Sequence, residues 1–90
     1  MPRPYAPCAF GLHVCGCDEA ADEFVTVANL PARSAAEARR MFHEARAEFA
    51  ALEGEPCELV VDLCEGPNEQ TADFPISRQM LDRLLARFAP

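Results

Sequence analysis

Ser34-Ala-Ala-Glu37-Ala-Arg-Arg-Met41-Phe42-His-Glu-Ala45-Arg-Ala-Glu-Phe49 is the stretch that decides how the rest of the chain is arranged. Ala38, Phe42, Ala45, Phe49 and Leu52 recur at helical spacing with Met41 beside them, so the segment reads as an amphipathic helix with one core stripe. Ser34 followed by Glu37 forms a capping box, in which two side chains satisfy backbone donors that the first turn leaves open. Arg39, Arg40, His43, Arg46, Glu48 and Glu53 take the outer side. Gly54 is the expected stop, because glycine readily adopts the left-handed conformation that ends a helix.

The segments on either side of this helix alternate instead. Phe10, Leu12 and Val14 fall on one side of a strand, and Ala9, Gly11, His13 and Cys15 on the other. The polar link Asp18-Glu-Ala-Ala-Asp22 leads to a second strand, Glu23 to Asn29, rich in strand formers, and its shortness predicts an antiparallel hairpin. After the helix, Cys57 to Cys64 reads as a third strand, with Cys57, Leu59, Val61 and Leu63 on one face and Glu58, Val60, Asp62 and Cys64 on the other. Glu65 to Asp73 reads as a polar loop containing Gly66-Pro67-Asn68. A second helix is predicted from Ser77 to Phe88, with Ile76, Met80, Leu81, Leu84, Leu85 and Phe88 as its apolar side. Pro75 precedes it, and either Ser77 or Asp73 serves as its cap.

The order is therefore β-β-α-β-α. A right-handed crossover through the first helix places strand three parallel to strand two, and hence antiparallel to strand one. The expected fold is α+β, a two-layer sandwich whose three-stranded sheet runs 2-1-3. Both helices would cover the face of Phe10, Leu12, Val14, Leu59, Val61 and Leu63, and the other face would stay open. Residues 1–7 carry three prolines and read as an extended arm, leaving residues 8–90 as a single domain.

Composition narrows the function. Ninety residues suit one small domain, and no apolar run approaches the roughly 18–20 residues of a membrane-spanning helix. Fifteen acids against eight bases give a net charge of −7, which argues against direct binding to nucleic acid or anionic lipid. The start of the chain lacks the apolar core and cleavage site of a signal peptide, so a cytoplasmic location and reduced thiols are expected. The cysteines Cys8, Cys15, Cys17, Cys57 and Cys64 are odd in number and cannot all pair within one chain.

The acids are unevenly placed. Asp18, Glu19, Asp22 and Glu23 crowd the hairpin tip, and residues 54–74 carry six acids and no base. These charges either keep a small protein soluble or face a basic protein or nucleoprotein surface. In the second case Asp18, Glu19, Asp22, Glu23, Glu58, Asp62, Glu65, Glu69 and Asp73 would form the contact, and binding would weaken as salt screens it. Self-association through exposed sheet edges also stays open.

A second constellation has different chemistry. His13, Cys15 and Cys17 alternate along strand one and share the open face, and Cys64 and Asp62 lie on the same side of strand three. Thiolate and imidazole are ligands that zinc prefers, so His13, Cys15, Cys17 and Cys64 form a candidate zinc set. Residues two apart on a strand are about 6.5–7 Å apart, so this set requires Gly16 to relax into a bulge. A Cys–His nucleophile with His13 as base is a third option, but a flat face offers no sheltering pocket. No phosphate loop, dinucleotide turn or metalloprotease motif occurs, and an enzyme is not expected.

In length, charge and compact α+β layout the chain resembles, at class level, the small acidic proteins of phages and mobile elements, anti-CRISPR inhibitors among them. That resemblance implies a non-catalytic inhibitor, without cofactor, that blocks a basic nucleic-acid-binding protein. It carries over no individual residue. The alternative is a small zinc-binding domain built on the His/Cys set.

Overall fold

The computed structural model describes residues 9–49, 56–67 and 69–88. The proline-bearing arm, Leu52 and Gly54 lie outside the described residues. The chain runs β1 (Phe10–Asp18), β2 (Glu23–Pro31), α1 (Ala35–Phe49), β3 (Leu59–Gly66), β4 (Glu69–Ile76) and α2 (Arg78–Phe88). The four strands form one antiparallel sheet in the order β2-β1-β3-β4.

The order 2-1-3 and the antiparallel pairing of β1 with β3 agree with the sequence reading. The fourth strand corrects it. Glu69-Gln-Thr-Ala-Asp-Phe-Pro-Ile76 reads as a polar loop because only Phe74 and Ile76 of its helix-facing residues are large and apolar. Both are buried, at 4% and 0% exposure, and Phe74 meets Phe42 edge to face with centroids 5.2 Å apart. Pro75 cannot donate to a ladder, and here it sits on an edge strand, where a missing donor is tolerated. Ile76 accordingly ends β4 and does not belong to the second helix.

Both helices pack on the face predicted for them. Leu12, Val14, Leu59, Val61 and Leu63 from the sheet meet Ala38, Met41, Phe42, Ala45 and Phe49 of α1 and Leu84 of α2, with Phe10, Met80, Leu81, Leu85 and Phe88 partly buried around them. The Ser34 half of the predicted capping box forms: the Glu37 backbone N–H donates to Ser34 Oγ at 3.1 Å. Ser77 precedes α2, but its hydroxyl oxygen has no hydrogen-bond partner, and it is the Ser77 carbonyl that accepts from the Met80 N–H at 3.1 Å. Arg87 ties the helices together, 2.7 Å from Glu48 and 3.7 Å from Glu44.

Gly11 shows how closely β1 and β2 are seated. Its φ is +139°, and a β-carbon there would lie 2.2 Å from the Leu30 carbonyl oxygen. Only glycine fits.

Candidate metal centre

The face of the sheet that carries neither helix is not open at its middle. His13, Cys15, Asp62 and Cys64 are all 0% exposed, which corrects the expectation of an exposed ligand face. A buried carboxylate and a buried imidazole must be compensated by hydrogen bonds or by a bound cation, because an uncompensated charge in a low-dielectric interior is costly.

Strand register explains why these groups meet. Asp62 of β3 stands directly opposite His13 of β1, while Cys15 is opposite Val60 and therefore diagonal to Asp62. The Cys15 Sγ lies 3.5 Å from His13 Nδ1 and 3.6 Å from Asp62 Oδ2. One donor atom from each of the three residues falls within 4.8 Å of the other two. The thiol proton has two acceptors in reach, the His13 ring nitrogen and the Asp62 carboxylate oxygen.

Polar neighbours surround the imidazole. His13 Nε2 is 2.8 Å from Thr26 Oγ1 of β2, and the Gln70 side-chain nitrogen of β4 is 3.4 Å from His13 Nδ1. Asp73 of β4 stands opposite Asp62 on the far side of β3. All four strands thus send a polar side chain toward this point.

The zinc set read from the sequence is partly brought together. His13 and Cys15 join, whereas Cys17 is exposed and Cys64, opposite Gly11, lies outside the group. Asp62 replaces them. The sequence reading places it on a partner surface, but with 0% exposure it cannot touch a partner. The bulge expected at Gly16 is also displaced: β1 pairs regularly with β3, and the register shift falls in β2, at Val27, opposite the Val14/Cys15 step. The imidazole is long enough to close the gap to Cys15 without bending β1. Thr26 and Gln70 were missed. Neither carried a signal, since a hydroxyl in a strand and an amide in an apparent loop are ordinary.

The acidic surface divides in two. Glu58 is paired with Arg78 and Glu65 with Arg39, each at 3.1 Å, so the β3 end of the proposed contact is already neutralised by the protein's own arginines. Asp73 is exposed, and Glu69 opens β4. Asp18, Glu19, Asp22 and Glu23 are all exposed at the β1–β2 turn. Asp18 has local work there: its Oδ1 accepts from the backbone N–H groups of Ala20 at 3.1 Å and Ala21 at 3.4 Å. Asp22 adopts φ 53°, a left-handed conformation that Asp tolerates better than most residues.

Cys15, Cys17, Cys57 and Cys64 are thiols. No described helix is long and apolar enough to cross a membrane. Compared with known proteins, the chain matches no protein-family model, no curated protein and no solved structure.

Proposed function

We propose that the chain is a small metal-binding domain in which His13 Nδ1, Cys15 Sγ and Asp62 Oδ2 hold a transition-metal ion of the zinc class. One observation carries this reading: the spacing of the donor atoms. Zinc binds sulfur at about 2.3 Å, imidazole nitrogen at about 2.0–2.1 Å and carboxylate oxygen at about 2.0–2.2 Å, so the S···N and S···O edges of a tetrahedron are about 3.5–3.6 Å long. The distances from Cys15 Sγ are 3.5 Å to Nδ1 and 3.6 Å to Oδ2. Mixed thiolate, imidazole and carboxylate donors suit zinc, cobalt(II) or iron(II) rather than magnesium or calcium, which prefer oxygen alone. The three donors leave a fourth vertex for water or a further ligand.

The experiment is a cobalt(II) titration of protein purified without chelator, with zinc competition. Binding in one-to-one ratio with a thiolate-to-cobalt absorption band, lost in Cys15→Ser and Asp62→Asn, is the expected result. A flat titration with folded wild-type protein rejects the centre.

A second reading keeps a narrower form of the partner surface. Asp18, Glu19, Asp22 and Glu23 are exposed and none is ion-paired among the described residues. They suit a basic protein surface, as the resemblance to acidic inhibitors implies. Charge reversal at Glu19 and Glu23 tests this against the same reversal at Glu58; equal effects on capture of a basic partner at low salt argue against the turn.

A further inference from the structure

Thr26 is not a metal-ligand type in this setting, yet the sheet is irregular in the one place that delivers it to the centre. From Gly11–Pro31 to Val14–Ala28 the β1–β2 register is unbroken; the next pair is Cys15 with Thr26, so Val27 is an extra residue in β2. In a continuous register Val27 would stand opposite Cys15, and Thr26 opposite Gly16, on the side turned toward the helices. The insertion carries Thr26 onto the face of His13 and Cys15 and leaves Val27 37% exposed. Bulges of this kind re-aim a side chain and concentrate near functional sites.

What Thr26 does there follows from the other ring nitrogen. The hydroxyl can donate or accept, so the 2.8 Å contact with Nε2 is ambiguous by itself. The Gln70 amide nitrogen lies 3.4 Å from Nδ1 and has only N–H to offer, so that contact is a hydrogen bond in the tautomer that leaves Nδ1 without a proton. A neutral imidazole then holds its proton on Nε2 and donates it to Thr26 Oγ1. The unprotonated nitrogen is Nδ1, 3.5 Å from Cys15 Sγ, and its one lone pair, met by the Gln70 amide in the metal-free protein, is the one an ion would take over.

We infer that Thr26, placed by the bulge at Val27, is a positioning residue that fixes His13 in the Nε2-protonated tautomer and aims Nδ1 at the point shared with Cys15 and Asp62. A hydrogen-bond partner on the non-ligating nitrogen is what metal-binding histidines characteristically have, and its loss typically weakens metal binding about 10–100-fold. The consequence for an ion rests on the metal-centre reading above; the consequence for the ring does not.

The test separates the two. Long-range proton–nitrogen NMR of the metal-free protein reads the tautomer of His13, and cobalt(II) titration reads affinity. The expected results are Nε2–H in the wild type, a shift toward Nδ1–H in Thr26→Val with cobalt affinity reduced about 10–100-fold, and recovery of both in Thr26→Ser. A wild-type ring protonated on Nδ1, or a Thr26→Val protein with unchanged tautomer and affinity, overturns the proposal, as does a Thr26→Ser protein no better than Thr26→Val. Should Thr26→Val fail to fold, the wild-type tautomer and the Thr26→Ser pair still decide. A wild type that binds no cobalt yet shows the tautomer and its dependence on Thr26 refutes the metal centre while supporting the role of Thr26 in holding the ring.

Discussion

The two faces of the β1–β3 pair are equally buried and chemically opposite. On one, Leu12, Val14, Val61 and Leu63 lie at 0–4% exposure against two helices; on the other, one residue along each strand, His13, Cys15, Asp62 and Cys64 lie at 0%. Burial of the first set is what folding is driven by, at about 25 cal/mol per Å² of apolar surface. Burial of the second set opposes folding unless its groups are matched, because the imidazole and carboxylate give up water to get there. A sheet needs only the first face to be stable. On the metal-centre reading proposed above, binding accounts for a second buried face made of ligand-type residues.

That contrast is open to direct attack. The largest effect belongs to the apolar face: Phe42→Ala removes a ring that is 2% exposed and stacked edge-on against Phe74, and is expected to cost about 3–5 kcal/mol in denaturant unfolding. On the polar face the expected stabilisation appears only with an ion. Zinc at a hundred times its dissociation constant should raise unfolding free energy by about 2.7 kcal/mol, and a chelator should reverse it. Asp62→Asn, which keeps the volume and removes the charge, should abolish that increment. If zinc stabilises Asp62→Asn as much as wild type, the two faces differ in composition but not in purpose. Between them runs the β1 backbone, where Gly11→Ala forces a β-carbon against the Leu30 carbonyl at positive φ; a loss of about 1–3 kcal/mol is expected by thermal unfolding.

Smaller effects sharpen the helix side of the comparison. Ser34→Ala deprives the Glu37 N–H of its acceptor and should cost about 1 kcal/mol, measured by the same unfolding experiment. Arg39→Ala breaks the ion pair to Glu65, but Arg39 is 51% exposed, so the expected change is about 0–1 kcal/mol and should shrink further in salt.

How far the chain could be read in advance follows the same division. The α1 stripe, the order of the first three strands and the identity of the helix-covered face were legible, because 3.6- and 2-residue periodicities are local and involve strong apolar residues such as Phe42 and Val61. β4 was not, because an edge strand needs few apolar residues and Pro75 speaks against a strand. Of the centre, His13 and Cys15 were visible as neighbours on a strand. Asp62 was visible as a residue on the right face but was credited to surface charge, since an acid's burial is set by tertiary contact and leaves no mark in its neighbours. Thr26 was out of reach: Phe24-Val-Thr-Val-Ala28 alternates regularly, with no glycine to announce the extra residue at Val27.

The β2-β1-β3-β4 order has a kinetic corollary. Each hairpin closes over a short turn, but Cys15 and Asp62 are 47 residues apart, with α1 between the hairpins. Joining the central strands closes a loop of that length, a step that is slow relative to hairpin formation. On the proposed metal-centre reading, two of the three donors come from the first hairpin and one from the second, so an ion would lack its full coordination until that seam has zipped. Metal uptake would then time the last event of folding, not seed the first.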